Sequence, residues 1–225
     1  MKLYIANKNY SSWSLRPWVL MQVCGIAFDE VFVPFVVAGQ FNKFKEFSPT
    51  SKVPCLEVNG LLIWDSLAIC EYLAEKYSGC WPVDIAARAW ARSAAAEMHS
   101  GFQALRSQCP MNCGIRVAFQ KIDESLRADI DRIDALWQDG LTRFGGPYLA
   151  GKEYGIVDAF FAPVIFRVQS YGLQLSKPSQ SYVDRMLSLP SMQRWYKDAL
   201  IETWRKSEYE QAAVANGKIV HDFRV

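Results

Sequence analysis

The stretch Tyr10-Ser11-Ser12-Trp13-Ser14-Leu15-Arg16-Pro17 places three hydroxyls where a first strand gives way to a first helix. Upstream, Lys2 to Ala6 is a short apolar run typical of a strand, and downstream apolar residues recur at helical spacing until Gly25. A helix start exposes unpaired N–H groups and the positive end of the helix dipole. The serine corner is therefore a candidate site for an anionic group.

Pro17 indicates which serine caps this helix. Proline has no N–H to give to a helical hydrogen bond, so it fits best within the first turn. With Ser14 as the N-cap, Pro17 takes the third helical position, whereas a cap at Ser12 moves it into the helix body. The pattern assigns Ser14 to capping and leaves Ser11 free to point at a ligand. An interpretation in which all three serines only form the turn and the cap remains open.

The rest of the first half reads as a small α/β domain. A second strand is predicted over 28–36, followed by an irregular segment with weak helical character over 41–47. Asn59-Gly60 between two apolar runs predicts a β-hairpin with a type I′ turn, and Asp65-Ser66 opens the next helix. The order is βαβ then ββα, and a linker at 79–84 ends the first domain, predicted over 1–79.

The second half, predicted as a domain over 84–225, reads as all-α. Apolar residues at steps of three and four predict one helix from Asp84 to about Ser107 and another over 122–144. A strongly apolar helix follows Gly155, and Asp158 at its third position can accept from the amides of the preceding turn. Shorter helices are predicted over 181–189 and 191–206.

Composition excludes several function classes. Hydrophobic residues make up 51% of the chain and the net charge is only +2, so a nucleic-acid or membrane-surface partner is not expected. Six cysteines without a Cys-x-x-Cys pair indicate reduced thiols, and two histidines leave little material for a metal site or a histidine-based triad. Without a leader or a long apolar run, a cytoplasmic location is expected.

Four separated motifs carry a family resemblance. They are Ser11-Ser12-Trp13-Ser14-Leu15-Arg16, Val53-Pro54-Cys55-Leu56, Asp65-Ser66-Leu67-Ala68-Ile69 and Gly151-x-x-x-Gly155-x-x-Asp158-x-x-x-x-Pro163. With them the chain resembles a cytosolic glutathione transferase over nearly its whole length, which implies a thioredoxin-like first domain and a helical second domain. The first motif is similar to the Ser-Ser-Cys-Ser-x-Arg of serine-type, zeta-class enzymes. Trp13 departs from that pattern at the cysteine, and Gly155 replaces the usual Ser or Thr cap.

The resemblance implies roles for individual residues around bound glutathione. Ser11 donates a hydrogen bond to the sulfur, and the start of the first helix with Ser14 helps to hold it as thiolate. If the Val53-Pro54 bond is cis, the backbone of Val53 pairs with the tripeptide. The remaining contacts are Asp65 and Ser66 on the γ-glutamyl end, Gln40 and Lys52 on the glycyl end, and Gln103 from the second domain.

The second substrate is expected between the domains, over the sulfur. Trp13, Met98, Phe102 and Arg106 are predicted to line a mostly apolar pocket there, while His99 receives no catalytic role. The resemblance implies a homodimeric, detoxifying glutathione transferase without a metal. Two alternatives remain open: a glutathione-dependent cis–trans isomerase of maleylacetoacetate type, and a non-catalytic binding protein with the same fold.

Overall fold

The computed structural model describes residues 1–35, 43–119, 121–215 and 217–225. Its first part is a four-stranded sheet in the order β2-β1-β3-β4, with β1 parallel to β2 and antiparallel to β3, which in turn pairs antiparallel with β4. The elements are β1 (Lys2–Ile5), α1 (Ser12–Val23), β2 (Asp29–Phe32), β3 (Cys55–Val58), β4 (Leu61–Trp64) and α2 (Ser66–Lys76). The predicted βαβ-ββα order of a thioredoxin-like domain is confirmed.

Local details of the first domain follow the sequence closely. Asn59 and Gly60 both have positive φ, 50° and 83°, as a type I′ turn requires. The strand predicted over 28–36 is shorter, because only Asp29 to Phe32 pairs with β1, and a 3-10 turn at Lys43–Glu46 takes the place of the weak helical segment. The Val53–Pro54 peptide bond is cis.

The assignment of Ser14 as the cap of α1 is wrong. The helix begins at Ser12, and the first helical bond runs from the Leu15 N–H to the Ser11 carbonyl at 3.2 Å. Ser14 is fully buried in the first turn, where its hydroxyl accepts from the Ala6 N–H at 3.4 Å. Pro17 therefore lies in the helix body and leaves the Trp13 carbonyl without its usual helical donor. Ser14 instead bonds to Ala6, eight positions earlier in the sequence, a contact that the local pattern around Pro17 does not reveal.

The second part is a helical bundle. Its helices are α3 (Ile85–Ser100), α4 (Gln103–Gln108), α5 (Glu124–Arg143), α6 (Ile156–Tyr171), α7 (Lys177–Ser188), α8 (Pro190–Leu200) and α9 (Ser207–Ala215). The single helix predicted from Asp84 to Ser107 is wrong, because it breaks into α3 and α4 at Gly101 and Phe102. Phe102 has a φ of 60°, outside the helical range, and its side chain is buried in the core.

The prediction that the second half is all-α holds for the bundle but missed two strands. β5 (Ile115–Phe119) pairs antiparallel with β6 (Gly217–Asp222), and the register shifts between Arg116 and Val117. Strands this short, paired across about a hundred residues, leave no clear local signal. The division of the chain at 79–84 stays a prediction.

Helix α6 is the centre of the bundle. All but one of its sixteen residues are buried, and it packs against α1 and α3. Asp158 is fully buried at its first turn, where its carboxylate accepts from the Leu149 N–H at 3.0 Å, the Gly155 N–H at 2.9 Å and the Tyr182 hydroxyl at 2.9 Å. Burial raises the pKa of this carboxyl to about 6 although these hydrogen bonds oppose the rise. The predicted capping role of Asp158 is confirmed.

Three further properties concern the described residues only. All six cysteines are free thiols, as predicted. Within that part of the chain, none of the helices combines the length and apolarity of a membrane span, and no group of three or more His, Cys, Asp or Glu side chains is arranged to hold a metal ion.

Replacing Asp158 by Ala should destabilise the protein by about 3 kcal/mol, because a cap is lost and three buried donors lose their acceptor. Tyr182→Phe is the matched control: it removes one donor, keeps the carboxylate on both backbone N–H groups, and should cost about 1 kcal/mol. Denaturant unfolding measures both variants. An Asp158→Ala variant no less stable than Tyr182→Phe would contradict this role.

Candidate active site

The serine corner is built by the loop between β1 and α1. Its backbone turns tightly, with the Ser11 N–H donating to the Asn7 carbonyl at 2.8 Å. Ser11 is only 3% exposed, and its hydroxyl donates to Ser14 Oγ at 2.7 Å. The two serines are therefore one hydrogen-bonded pair that joins the start of α1 to Ala6, directly after β1, and neither of them is among the residues that line the cleft beside this corner.

A cleft of about 480 Å³ lies beside this corner. It brings together two helix starts, the cis-proline loop and one end of β4. Its lining residues are Trp13, Thr50, Lys52, Val53, Pro54, Trp64, Asp65 and Ser66. Five of the predicted site residues thus share one surface: Trp13, Lys52, Val53, Asp65 and Ser66.

Asp65 and Ser66 occupy the N-terminus of α2. Asp65 is the N-cap, with a φ of 71°, and its Oδ1 accepts from the Leu67 N–H at 2.8 Å. Its Oδ2 lies 3.4 Å from His99 Nε2. Ser66 is buried, and its Oγ lies 3.5 Å from Arg16 Nη1. The predicted start of α2 at Asp65-Ser66 is confirmed, and the carboxylate of Asp65 remains 45% exposed at the cleft.

Behind the cleft, Arg16 is a buried cation between the two domains. Its guanidinium lies 4.2 Å from the ring centroid of Trp13 and 4.7 Å from that of Phe160. Its Nε has no hydrogen-bond partner among the described residues. Burial, together with the positive charges of Arg106 and Arg167, lowers the pKa of Arg16 well below its usual value.

A second cavity of about 320 Å³ lies on the other side of Trp13. Its lining residues are Ser12, Trp13, Arg106, Ser107, Pro110, Arg167, Glu208, Tyr209 and Ala212. Of the predicted pocket residues, Trp13 and Arg106 line this cavity, beside a second arginine, one acid and two serines. The mostly apolar pocket expected from the sequence stays a prediction. Trp13 is the wall that both cavities share.

The two arginines of this cavity are held by carbonyl groups. Arg106 Nε donates to the Gly101 carbonyl at 2.8 Å, and its Nη2 donates to the Met98 carbonyl at the end of α3. Arg167 Nε donates to the Cys109 carbonyl at 2.8 Å, while its Nη1 is buried with no partner among the described residues. Burial lowers the pKa of both groups, and that of Arg106 falls to about 10. Neither arginine forms an ion pair among the described residues, although Asp129 acts on Arg106 and Glu208 lines the same cavity. The two cations can therefore accept an anionic ligand.

Several predicted site residues lie elsewhere. Met98 is fully buried in the core and does not line either cavity, and Phe102 is only 7% exposed between α3 and α4. Gln103 is exposed and donates to the Ser100 carbonyl at 3.2 Å. Gln40 lies outside the described residues. Arg167 was not predicted as a site residue. A single arginine in the largely apolar sequence of α6 would have indicated a buried cation there.

Two family models match this chain. "Glutathione S-transferase, N-terminal domain" matches residues 10–76, and "Glutathione S-transferase, C-terminal domain" matches residues 88–198, so that together they cover most of the sequence. The chain is also similar to a probable maleylacetoacetate isomerase of Caenorhabditis elegans, with 28% identity over 184 residues that cover 77% of this chain and 81% of that protein.

Solved structures agree with these matches at the level of the fold. The chain is similar to glutathione S-transferase unclassified 2 from Bombyx mori, with a TM-score of 0.72, 22% identity and coverage of 96% of this chain and 98% of that one. It is also similar to a glutathione transferase homolog from Burkholderia gl BGR1 with bound glutathione, with a TM-score of 0.65, 24% identity and coverage of 88% and 96%.

Proposed function

The chain belongs to the glutathione S-transferase family, and from this premise we propose that the cleft beside Trp13 binds glutathione for attack by its thiolate on a small electrophile. One observation carries the proposal: a single cleft joins an acidic helix cap, the loop at Val53 and the start of α1. These three features suit the three parts of a γ-glutamyl peptide thiol. The structural relative from Burkholderia was solved with glutathione.

In the proposed binding mode the γ-glutamyl end lies at the start of α2. The Asp65 carboxylate takes the ammonium, while the Ser66 hydroxyl and the helix N–H groups take the carboxylate. The backbone of Val53 pairs with the extended tripeptide as an added strand does. Lys52 faces the glycyl carboxylate, and Gln40 and Gln103 stay predicted contacts.

The sulfur then lies at the start of α1, where Ser11 acts as its hydrogen-bond donor. Because hydroxyl hydrogens rotate freely, the Ser11–Ser14 bond can reverse when a thiolate arrives. Ser14 then donates to Ser11 Oγ, and Ser11 donates to the sulfur. The positive end of α1 adds to the stabilisation of the negative charge and lowers the thiol pKa.

The second cavity is the proposed site of the electrophile. Arg106 and Arg167 favour a substrate that carries a carboxylate, and the indole of Trp13 covers its apolar part. Proximity of such a substrate to a stabilised thiolate supplies most of the catalysis.

A glutathione-dependent cis–trans isomerase is the second candidate function. In that reaction the thiolate adds to the double bond of a conjugated acid, a single bond rotates, and the thiolate leaves again. The arginine-lined cavity and the relative named a probable maleylacetoacetate isomerase favour it. A non-catalytic member of the family would bind glutathione without lowering the thiol pKa. We further propose, from the family alone, a cytoplasmic homodimer with a role in detoxification.

Replacing Asp65 or Ser66 by Ala should weaken glutathione binding about tenfold or more, because each removes a bond to a charged group. Glu71→Ala is the control, since it removes a carboxylate from the same helix outside the cleft. Calorimetry measures the dissociation constants. Unchanged binding in both cleft variants would remove the γ-glutamyl assignment.

Replacing Ser11 by Ala should raise the pKa of the bound thiol and slow the reaction at neutral pH. Ser14→Ala should have a smaller effect of the same sign, with a stability loss of ~1 kcal/mol, because the buried Ala6 N–H loses its acceptor. Ser12→Ala should leave the thiol pKa near the wild-type value. Thiolate absorbance against pH is the measurement, and a larger effect of Ser12→Ala would transfer the donor role to Ser12.

Replacing Arg167 by Met should lower kcat/KM by roughly tenfold or more for an unsaturated cis-diacid, since a charge-assisted bond is lost. The rate with the neutral dimethyl ester of the same compound should change little. Arg106→Met is a second test of the cavity, and the exposed Arg143→Met is the control. Equal losses for the acid and its ester would contradict an anion site.

A further inference from the structure

His99 contacts the proposed glutathione site from the second domain. It lies near the end of α3, with Nε2 3.4 Å from Asp65 Oδ2 and Nδ1 3.5 Å from Arg16 Nη1. Its ring meets the Trp13 indole edge-on at 5.3 Å between centroids. The side chain is 26% exposed, and two of the residues that it meets, Trp13 and Asp65, line the cleft. The His99 imidazole thus contacts Asp65 at the cap of α2, the buried Arg16 and the indole of Trp13.

The contact with Arg16 decides the tautomer of His99. A guanidinium has only N–H donors, so Nδ1 of the imidazole must be the acceptor. The ring proton then lies on Nε2, which faces Asp65 Oδ2. Because Asp65 Oδ1 is already bonded to the Leu67 N–H, the carboxylate is held from both sides. The Asp65 side chain is 45% exposed and lines the cleft, so its carboxylate remains accessible to a ligand.

We propose that His99, as a neutral imidazole oriented by Arg16, is a positioning residue that holds the Asp65 carboxylate toward the ammonium of glutathione. This inference rests on the proposed glutathione site. It gives a role to a residue of the second domain to which the sequence analysis assigned none. The arrangement also makes binding sensitive to pH through one identified group.

The charged groups around His99 fix the direction of this sensitivity. They are Asp65 at the cap of α2, Arg16 on α1 and Arg106 on α4, while α6 contributes the uncharged Phe160. Burial lowers the pKa of His99, Asp65 opposes the change, and the two arginines add to it. The imidazole is therefore neutral at pH 7, and it gains a proton only on acidification.

Protonation of His99 should weaken glutathione binding. An imidazolium beside Asp65 competes with the ligand ammonium for the same carboxylate, and it places an N–H against the guanidinium of Arg16. By linkage, glutathione must then lower the pKa of His99 when it binds. The change in the logarithm of the dissociation constant when His99 is fully protonated equals the change in the His99 pKa when glutathione binds.

The test uses S-methylglutathione, whose sulfur does not titrate, and measures its dissociation constant by calorimetry from pH 7.5 to 5.5. We expect the constant to rise about twofold or more on acidification in the wild type and in the control His221→Gln, if the pKa of His99 falls by about one unit or more on binding. In His99→Gln and His99→Leu it should stay flat. At pH 7.5, His99→Gln should bind nearly as the wild type does, because its amide N–H replaces Nε2–H, whereas His99→Leu should bind several-fold more weakly.

Proton NMR of the wild type gives the same answer without a mutation at the site. The chain has only two histidines, and His221→Gln assigns them. The ligand should lower the pKa of His99 and leave that of His221 unchanged. A flat wild-type pH profile with an unmoved His99 pKa would overturn the positioning role, as would a pH dependence in the two His99 variants as large as that of the wild type. Failure of the wild type to bind S-methylglutathione at all would instead refute the proposed function.

Discussion

Lys8 is a buried charge that groups from both domains must satisfy together. Its ammonium lies 2.7 Å from Glu30 on β2 and 2.7 Å from Asp198 on α8, and its side chain is only 6% exposed. Its carbonyl accepts from the Trp195 indole N–H at 2.8 Å. An unpaired ammonium in the interior would cost several kcal/mol, so the β1–α1 loop has little freedom to move. Neighbouring hydrogen bonds from Asn9 to Asn112 and from Tyr10 to Glu210 also hold this loop against the second domain. These contacts of Lys8, Asn9 and Tyr10 are called the loop clamp below.

The active-site geometry follows from this constraint. The loop clamp fixes the position of the loop that ends at Ser11. It therefore also fixes the start of α1, which carries Trp13 and Arg16. Arg16 then contacts Ser66 and His99, which ties α1 to the start of α2 and to the second domain. The cleft and the second cavity both border the start of α1, and Trp13 lines both of them.

Features with a local physical cause were predictable from the sequence. The Asn59-Gly60 turn, the start of α2 at Asp65 and the bond from the Gly155 N–H to Asp158 all depend on residues within a few positions of each other. Features with a distant cause were not. The Ser14 hydroxyl accepts from the Ala6 N–H just after β1, Phe102 is buried in the core, and β5 pairs with β6, about a hundred residues further along the chain. The arginine-lined cavity depends on the meeting of α4, α6 and α9, which no single motif records.

A crystal structure with glutathione would show where the tripeptide binds. We expect it in the cleft beside Trp13, with its ammonium on Asp65, its backbone against Val53 and its sulfur within hydrogen-bond distance of the Ser11 hydroxyl. The Arg106 and Arg167 cavity should remain open beside the sulfur. Glutathione bound elsewhere, or bound in the cleft with its sulfur directed away from the start of α1, would contradict the account.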